Sequence, residues 1–230
     1  RISWGAGVAR IQLVVKGSHT HSTPAVCITL DFFCWISKFQ ASVRGFFGRR
    51  REKFEGGVTM PIEIQAPRIT SVESPRALIA LHFPSMSAEL PISGGWGYTK
   101  EDAVIIDRDD PTVLGPEFFD GVAIEYIFVE KRIYEEMIIF RPGRIRFSGI
   151  EWKLNFRSMV VDDNRRFDIL VFDVTAFQDA DWQALKRDWE ENAGFLDEPE
   201  AMAAHFEKRE EKKVHYKAEF WFDITSFFGV

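Results

Sequence analysis

Cysteine is nearly absent from this chain. Cys27 and Cys34 are the two in 230 residues, and none follows. From residue 60 onward that excludes a disulfide framework, a thiolate metal site and a cysteine nucleophile. Methionine is missing from the first 59 residues and appears first as Met60. Long apolar runs are missing as well. Val26–Ile36 is broken by Asp31 and falls short of the ~20 residues a bilayer span needs. It is not a signal peptide either, because its basic cluster, Arg44–Arg51, follows the apolar run and no small-residue cleavage site comes after. Spaced catalytic signatures are lacking too. His82, His205 and His215 show no H-E-x-x-H spacing, and no serine sits in a G-x-S-x-G turn.

What is present divides at Met60. Residues 1–59 carry nine basic and three acidic side chains, a net +6; the chain totals of 29 and 35 leave 20 and 32 beyond them, a net −12. The prefix shows no sustained period of two or 3.6. Glu55-Gly56-Gly57-Val58-Thr59-Met60 is compatible with codons that spell a purine-rich ribosome-binding site before a start codon. We therefore expect residues 1–59 to be a non-native or disordered upstream segment, with a bacterial-type gene start at Met60. A basic nucleic-acid or lipid arm is the other reading of its arginines. Residues 60–230 have the length of one domain, and Trp96, Trp152, Trp182, Trp189 and Trp221 point to an aromatic core.

Alternation is clearest over Ile150–Val161. There Ile150, Trp152, Leu154, Phe156 and Val160 share an apolar face, with Trp152 at its centre. Asp162–Arg165 supplies a turn, and Phe167–Phe177 forms the return strand of a hairpin. A helix follows Asp179-Ala180-Asp181, with Trp182, Leu185 and Trp189 on one stripe and Gly194 as its stop. A second helix spans Glu198–Lys212, and a strand over Val214–Thr225 closes the chain. Earlier, Ile62–Gln65, Arg76–Phe83 and Ala103–Asp107 are predicted as strands. Gly121–Phe140 fits a helical stripe (Val122, Tyr126, Val129, Ile133, Met137, Phe140) but is β-rich, and strand, helical turn, strand is the favoured reading. Hairpin connections with late helices predict an α+β fold, a mostly antiparallel sheet with the two C-terminal-half helices packed on one face.

Candidate sites are few. Phe172-Asp-Val-Thr-Ala-Phe177 resembles Phe222-Asp-Ile-Thr-Ser-Phe227, so Asp173, Thr175, Asp223 and Thr225 form a polar patch if the strands adjoin. Paired carboxylates run acid–base chemistry or hold a hard cation, provided they lie within ~8 Å of each other. The bland alternative is strand-end punctuation on a solvent face. Ser93–Lys100, with Gly94, Gly95 and Gly97, is the glycine-rich loop. Its Trp96 and Tyr98 could stack on a ligand or fold back on the core, and it does not match a phosphate loop. Asp107–Pro111, with Asp102, Glu117 and Asp120 nearby, reads as a calcium loop or a solvated turn and departs from the EF-hand spacing. No resident metal or cofactor is expected.

Two function classes follow. The first is a cytoplasmic binding or accessory module, immunity- or inhibitor-like, that acts without catalysis on a basic protein partner; the charge of −12 disfavours nucleic acid, and no membrane association is expected. The second is a small-molecule or metal-dependent enzyme built from Asp173, Asp223 and the Gly94–Gly97 loop.

Overall fold

The computed structural model describes residues 62–65, 67–86, 89–113 and 119–229. The seam at Met60, the whole prefix and Glu117 lie outside the described residues. The protein is α+β, with six strands in one mixed, mostly antiparallel sheet and four α-helices among those residues.

Alternation builds the centre of the sheet. The strands β1 (Ile62–Glu63), β2 (Ile92–Gly94), β3 (Val104–Ile106), β4 (Phe147–Asp162), β5 (Arg165–Gln178) and β6 (Val214–Asp223) run in the order β2-β3-β6-β5-β4. The β5–β6 pair is antiparallel, with Leu170 opposite Phe220, Phe172 opposite Ala218 and Val174 opposite Tyr216. These six side chains share one face and are buried. The other edge of β6 is divided between two short parallel partners. Ile62 pairs with Val214 at one end, and Val104 pairs with Phe222 at the other.

Two segments differ from the strands expected of them. Pro75–His82 (α1) is a helix where a strand is expected over Arg76–Phe83. Ser74 accepts from the Ala77 N–H at 3.2 Å and Pro75 occupies the first turn, a start signal that outweighs the short apolar run. Gly121–Tyr134 (α2) is helical throughout and continues as a π-helical turn over Glu135–Ile139, replacing strand, turn, strand. Asp120 caps it by accepting from the Ala123 N–H at 2.9 Å. The buried stripe runs through Ile124, Phe128, Val129, Ile133 and Met137, whereas Val122, Tyr126 and Phe140 face outward. α2 covers the apolar face of the sheet.

The two late helices, α3 (Asp179–Glu191) and α4 (Pro199–Lys212), pack together on the opposite face, at the Phe177 end. Trp182 stacks on Phe177 at 5.2 Å, and Arg209 lies over both rings. His205 is buried between the helices, with Nδ1 2.9 Å from Asp188.

β4 also departs from a simple alternation. Its register with β5 slips between Leu154 and Phe156, so Leu154 lies opposite Phe172 while Phe156 lies opposite Val171. One extra residue in a bulge reverses every later side chain. Trp152 and Leu154 therefore face α2, but Phe156 and Val160 turn to the other face, and Arg157 and Met159 take the α2 side. The single apolar stripe expected over Ile150–Val160 is thus split in two. Trp152 is half-buried, edge-on to Tyr134 at 5.7 Å, and is not the fully enclosed anchor its position implies.

We expect Phe220→Ala, which empties a fully buried site, to lose about 3–5 kcal/mol in denaturant unfolding. Trp152→Ala should cost clearly less, about 1–2 kcal/mol, because part of its ring already meets solvent. Equal losses would contradict this packing.

Candidate functional site

α2 and its π turn carry four buried ionisable side chains on their inward side: Glu125, Arg132, Glu135 and Glu136. Buried ions demand partners, and the sheet supplies them. Arg132 Nη1 donates to the carbonyls of Trp96 at 3.0 Å and Glu219 at 2.9 Å, while Nε donates to Glu136 at 2.7 Å. Its guanidinium lies over the rings of Tyr98 and Phe220, at 4.0 and 4.1 Å. Glu136 also accepts from the Tyr98 hydroxyl at 2.8 Å and the Tyr216 hydroxyl at 3.4 Å. Burial and the Glu136 charge raise the pKa of both phenols, so both stay protonated as donors. The π turn lets consecutive glutamates both point inward: Glu136 to this hub, Glu135 to His82 Nδ1 at 2.8 Å. Burial raises the Glu135 pKa against the lowering effect of His82.

A second charged cluster lies near the other end of α2. Asp168, on β5, is buried and accepts from Arg157 Nε at 2.8 Å and also from Arg157 Nη2. Both bonds go to one oxygen, Oδ2. Arg157 Nη2 stands 3.5 Å from Glu125 Oε2. Glu125 Oε1 and Asp168 Oδ1 are buried and receive no donor from the other described residues. Burial, then the Asp168 charge, push the Glu125 pKa up to about 8, against the opposing effect of Arg157. At neutral pH Glu125 is thus a neutral acid beside Asp168. Asp168 lines an open groove of about 400 Å³ together with Arg157, Met159, Ile224, Phe227 and Phe228. A buried neutral acid behind a carboxylate that lines a solvent groove is equipped to exchange a proton or to receive a cation.

The residues singled out from sequence are not brought together. Asp173 lies opposite Lys153 on one side and Lys217 on the other, and accepts from Asn155 at 2.6 Å. Thr175, half-buried, lies opposite Glu151 and His215. Asp223 shares the sheet face of Asp173 but is six positions farther along β6 than Lys217, about 20 Å away at ~3.3 Å per residue. That is outside the ~8 Å a shared ion requires. Asp223 instead accepts from Arg165 Nε at 2.8 Å and from the Thr225 N–H and hydroxyl, which close the strand end. These bonds lower its pKa against the opposing effect of burial.

The glycine loop turns inward. Gly94 and Gly97 have φ of +80° and +74°, and a Cβ on Gly97 would stand 2.9 Å from the Trp221 carbonyl. Trp96 is buried against Phe128, with ring centres 6.0 Å apart and its indole N–H without an acceptor among the described residues. The Tyr98 hydroxyl accepts from the Ile69 N–H at 2.8 Å. In the acidic turn, Asp110 is held down to about 2, chiefly by Arg76, whose Nη1 donates at 2.7 Å. Among the described residues no group of three or more His, Cys, Asp or Glu side chains is placed to hold one metal ion, and no helix is long and apolar enough to cross a membrane.

Sequence reasoning missed both α2 clusters. A signal was present in the spacing of Glu125, Arg132 and Glu136, which lie seven and four apart and share a helical face. Comparison with models of protein families, with curated proteins and with solved structures found no match.

The Glu125 shift makes a pH prediction. A carboxyl whose folded pKa is raised binds more protons folded than unfolded, so its contribution to stability falls as pH climbs from about 4.5 to about 8. Glu125→Gln, which keeps a donor to Asp168, should stabilise the protein at pH 9. The gap from the parent should close at up to about 1.4 kcal/mol per pH unit towards pH 5. A gap independent of pH, read from urea midpoints across that range, would contradict the raised Glu125 pKa.

Proposed function

We propose that this domain is a protein-binding module of the accessory kind, immunity- or inhibitor-like, which acts without catalysis on a basic protein partner in the cytoplasm and does not bind nucleic acid. The observation that carries this reading is the second half of β4. Past the bulge it is the outermost strand of the sheet, and among the described residues no strand pairs with its outer edge. Phe156, Met159 and Val161 are each more than half exposed. Phe156 lies on one face of the sheet, Met159 and Val161 on the other. An edge with unpaired amides and carbonyls is a template for an added strand, and apolar side chains on both faces give that strand something to grip. Phe156 stands an odd number of residues from Met159 and Val161, so exposed apolar side chains flank the edge on both faces. The net charge of −12 beyond residue 59 favours a cationic partner by steering encounter and opposing like-charged competitors.

The test is a titration of the full chain with extended nonapeptides that alternate apolar residues with lysine or arginine, and with glutamate-bearing counterparts. Amide shifts mapped by NMR should concentrate at residues 155–162 for the cationic set. Phe156→Lys should weaken that binding about tenfold or more while leaving thermal stability nearly unchanged, since the ring is exposed. Failure of every cationic peptide to move the β4 amides would overturn the reading.

A further inference from the structure

We infer that the groove between β4, the start of β5 and the C-terminal turn is a subsite for one guanidinium or ammonium side chain of a basic partner, bound at Asp168 with Glu125 as its buried neighbour. This rests on the docking reading above and deepens it by naming the anchor. The site is built rather than superficial. Asp168 is 3% exposed and Glu125 fully buried, so neither carboxyl is a solvated surface charge. Asp168 lines the groove, and each carboxyl keeps one oxygen, Oδ1 and Oε1, that no donor from the other described residues reaches. Arg157 does not serve those oxygens; both of its bonds to Asp168 fall on Oδ2. Phe227 and Phe228 supply apolar and aromatic wall for the methylene stem and cationic head of an entering side chain. The groove also opens beside Met159, whose exposed side chain belongs to the free edge, so a strand docked there would set one of its side chains at the groove mouth.

The charge balance favours an organic cation. With Glu125 protonated and Asp168 in an ion pair with Arg157, the cluster is neutral. A second cation enters without net charge if the Glu125 proton leaves to solvent, exchanging one positive charge for another. A hard divalent ion would find too few oxygens here and a guanidinium beside them. The other groups facing the pair are Asp120 from the cap of α2 and Tyr126 from α2 itself, which act on Glu125 and on Arg157 respectively. Arg166 reaches only the far wall, 5.9 Å from the Phe228 ring. Because a proton is released, binding should tighten as pH rises towards the Glu125 pKa and level off beyond it.

The experiment uses the full chain and n-butylguanidinium alone, with neutral n-butylurea as its isostere, following the side-chain carboxyl carbon shifts of Glu125 and Asp168 by NMR. The guanidinium should shift both carboxyls saturably, with affinity rising up to about tenfold per pH unit between pH 6 and 8, then flattening; the urea should not. Asp168→Asn should abolish the effect. Glu125→Gln, which retains the packing, should leave weaker binding that no longer depends on pH. No saturable shift, an equal response to butylurea, or binding that survives Asp168→Asn would overturn the proposal. Because the small cation needs no strand on β4, that failure is distinct from loss of the peptide shifts at residues 155–162, which would remove the docking reading instead.

Discussion

Arg132 is the residue on which the arrangement of helix, sheet and glycine loop depends. Its guanidinium is 3% exposed and binds backbone carbonyls of two separate segments, Trp96 in the loop and Glu219 in β6, while Glu136 neutralises it one helical turn away. An ion buried this completely has a large desolvation cost, which only near-complete pairing offsets. That requirement constrains the structure around it. α2 must lie so that Arg132 reaches β6, the loop must present its carbonyls inward, and Tyr98 and Tyr216 must aim hydroxyls at Glu136. The positive φ of Gly97 follows from the same demand, since the loop must come close against β6 to deliver those carbonyls.

The parts of the fold legible in the sequence are those in which apolar periodicity and burial coincide. β5 and β6 alternate cleanly, and α3 and α4 carry their punctuation in Asp179, Gly194 and Pro199. α2 was opaque because four of its inward positions are charged, so a period read from apolar residues alone is displaced towards Val122 and Tyr126, which face solvent. α1 was misread because the continuous apolar run Ala77–Leu81 suits a buried strand as well as a helix, and Ser74–Pro75, the deciding signal, lies just outside the segment. The β4 bulge leaves no apolar signature, since Phe156 and Val160 continue the alternation across a register that has slipped beneath them. The repeated Asp–Thr pattern pointed to the ends of neighbouring strands but not to their direction. In an antiparallel pair, like positions of the motif fall at opposite ends.

The same physics connects the interior to the surface. Near its C-terminal end α2 has its charges fully paired, and there the polar groups fix one arrangement of helix on sheet. Towards its N-terminal end the pairing is incomplete: Glu125 and Asp168 keep oxygens without outside donors, and Asp168 meets a groove. That groove adjoins the half of β4 whose exposed apolar residues lie on both faces of a free edge. Incomplete satisfaction and an open strand edge thus converge on one end of the sheet, and residues 60–230 as a whole add a net negative charge. The binding-module reading draws on all three.

The central claim is that Arg132 and Glu136 act as one buried unit that fixes α2 on the sheet. A double-mutant cycle of Arg132→Met, Glu136→Leu and the combined variant, measured by urea unfolding, tests it most directly. Each single change strands a buried charge and should cost about 3–5 kcal/mol, while the double removes both charges together and should lose far less than the sum, a coupling of about 2 kcal/mol or more. Losses that add to within about 0.5 kcal/mol would contradict the account and return the positioning of α2 to its apolar contacts alone.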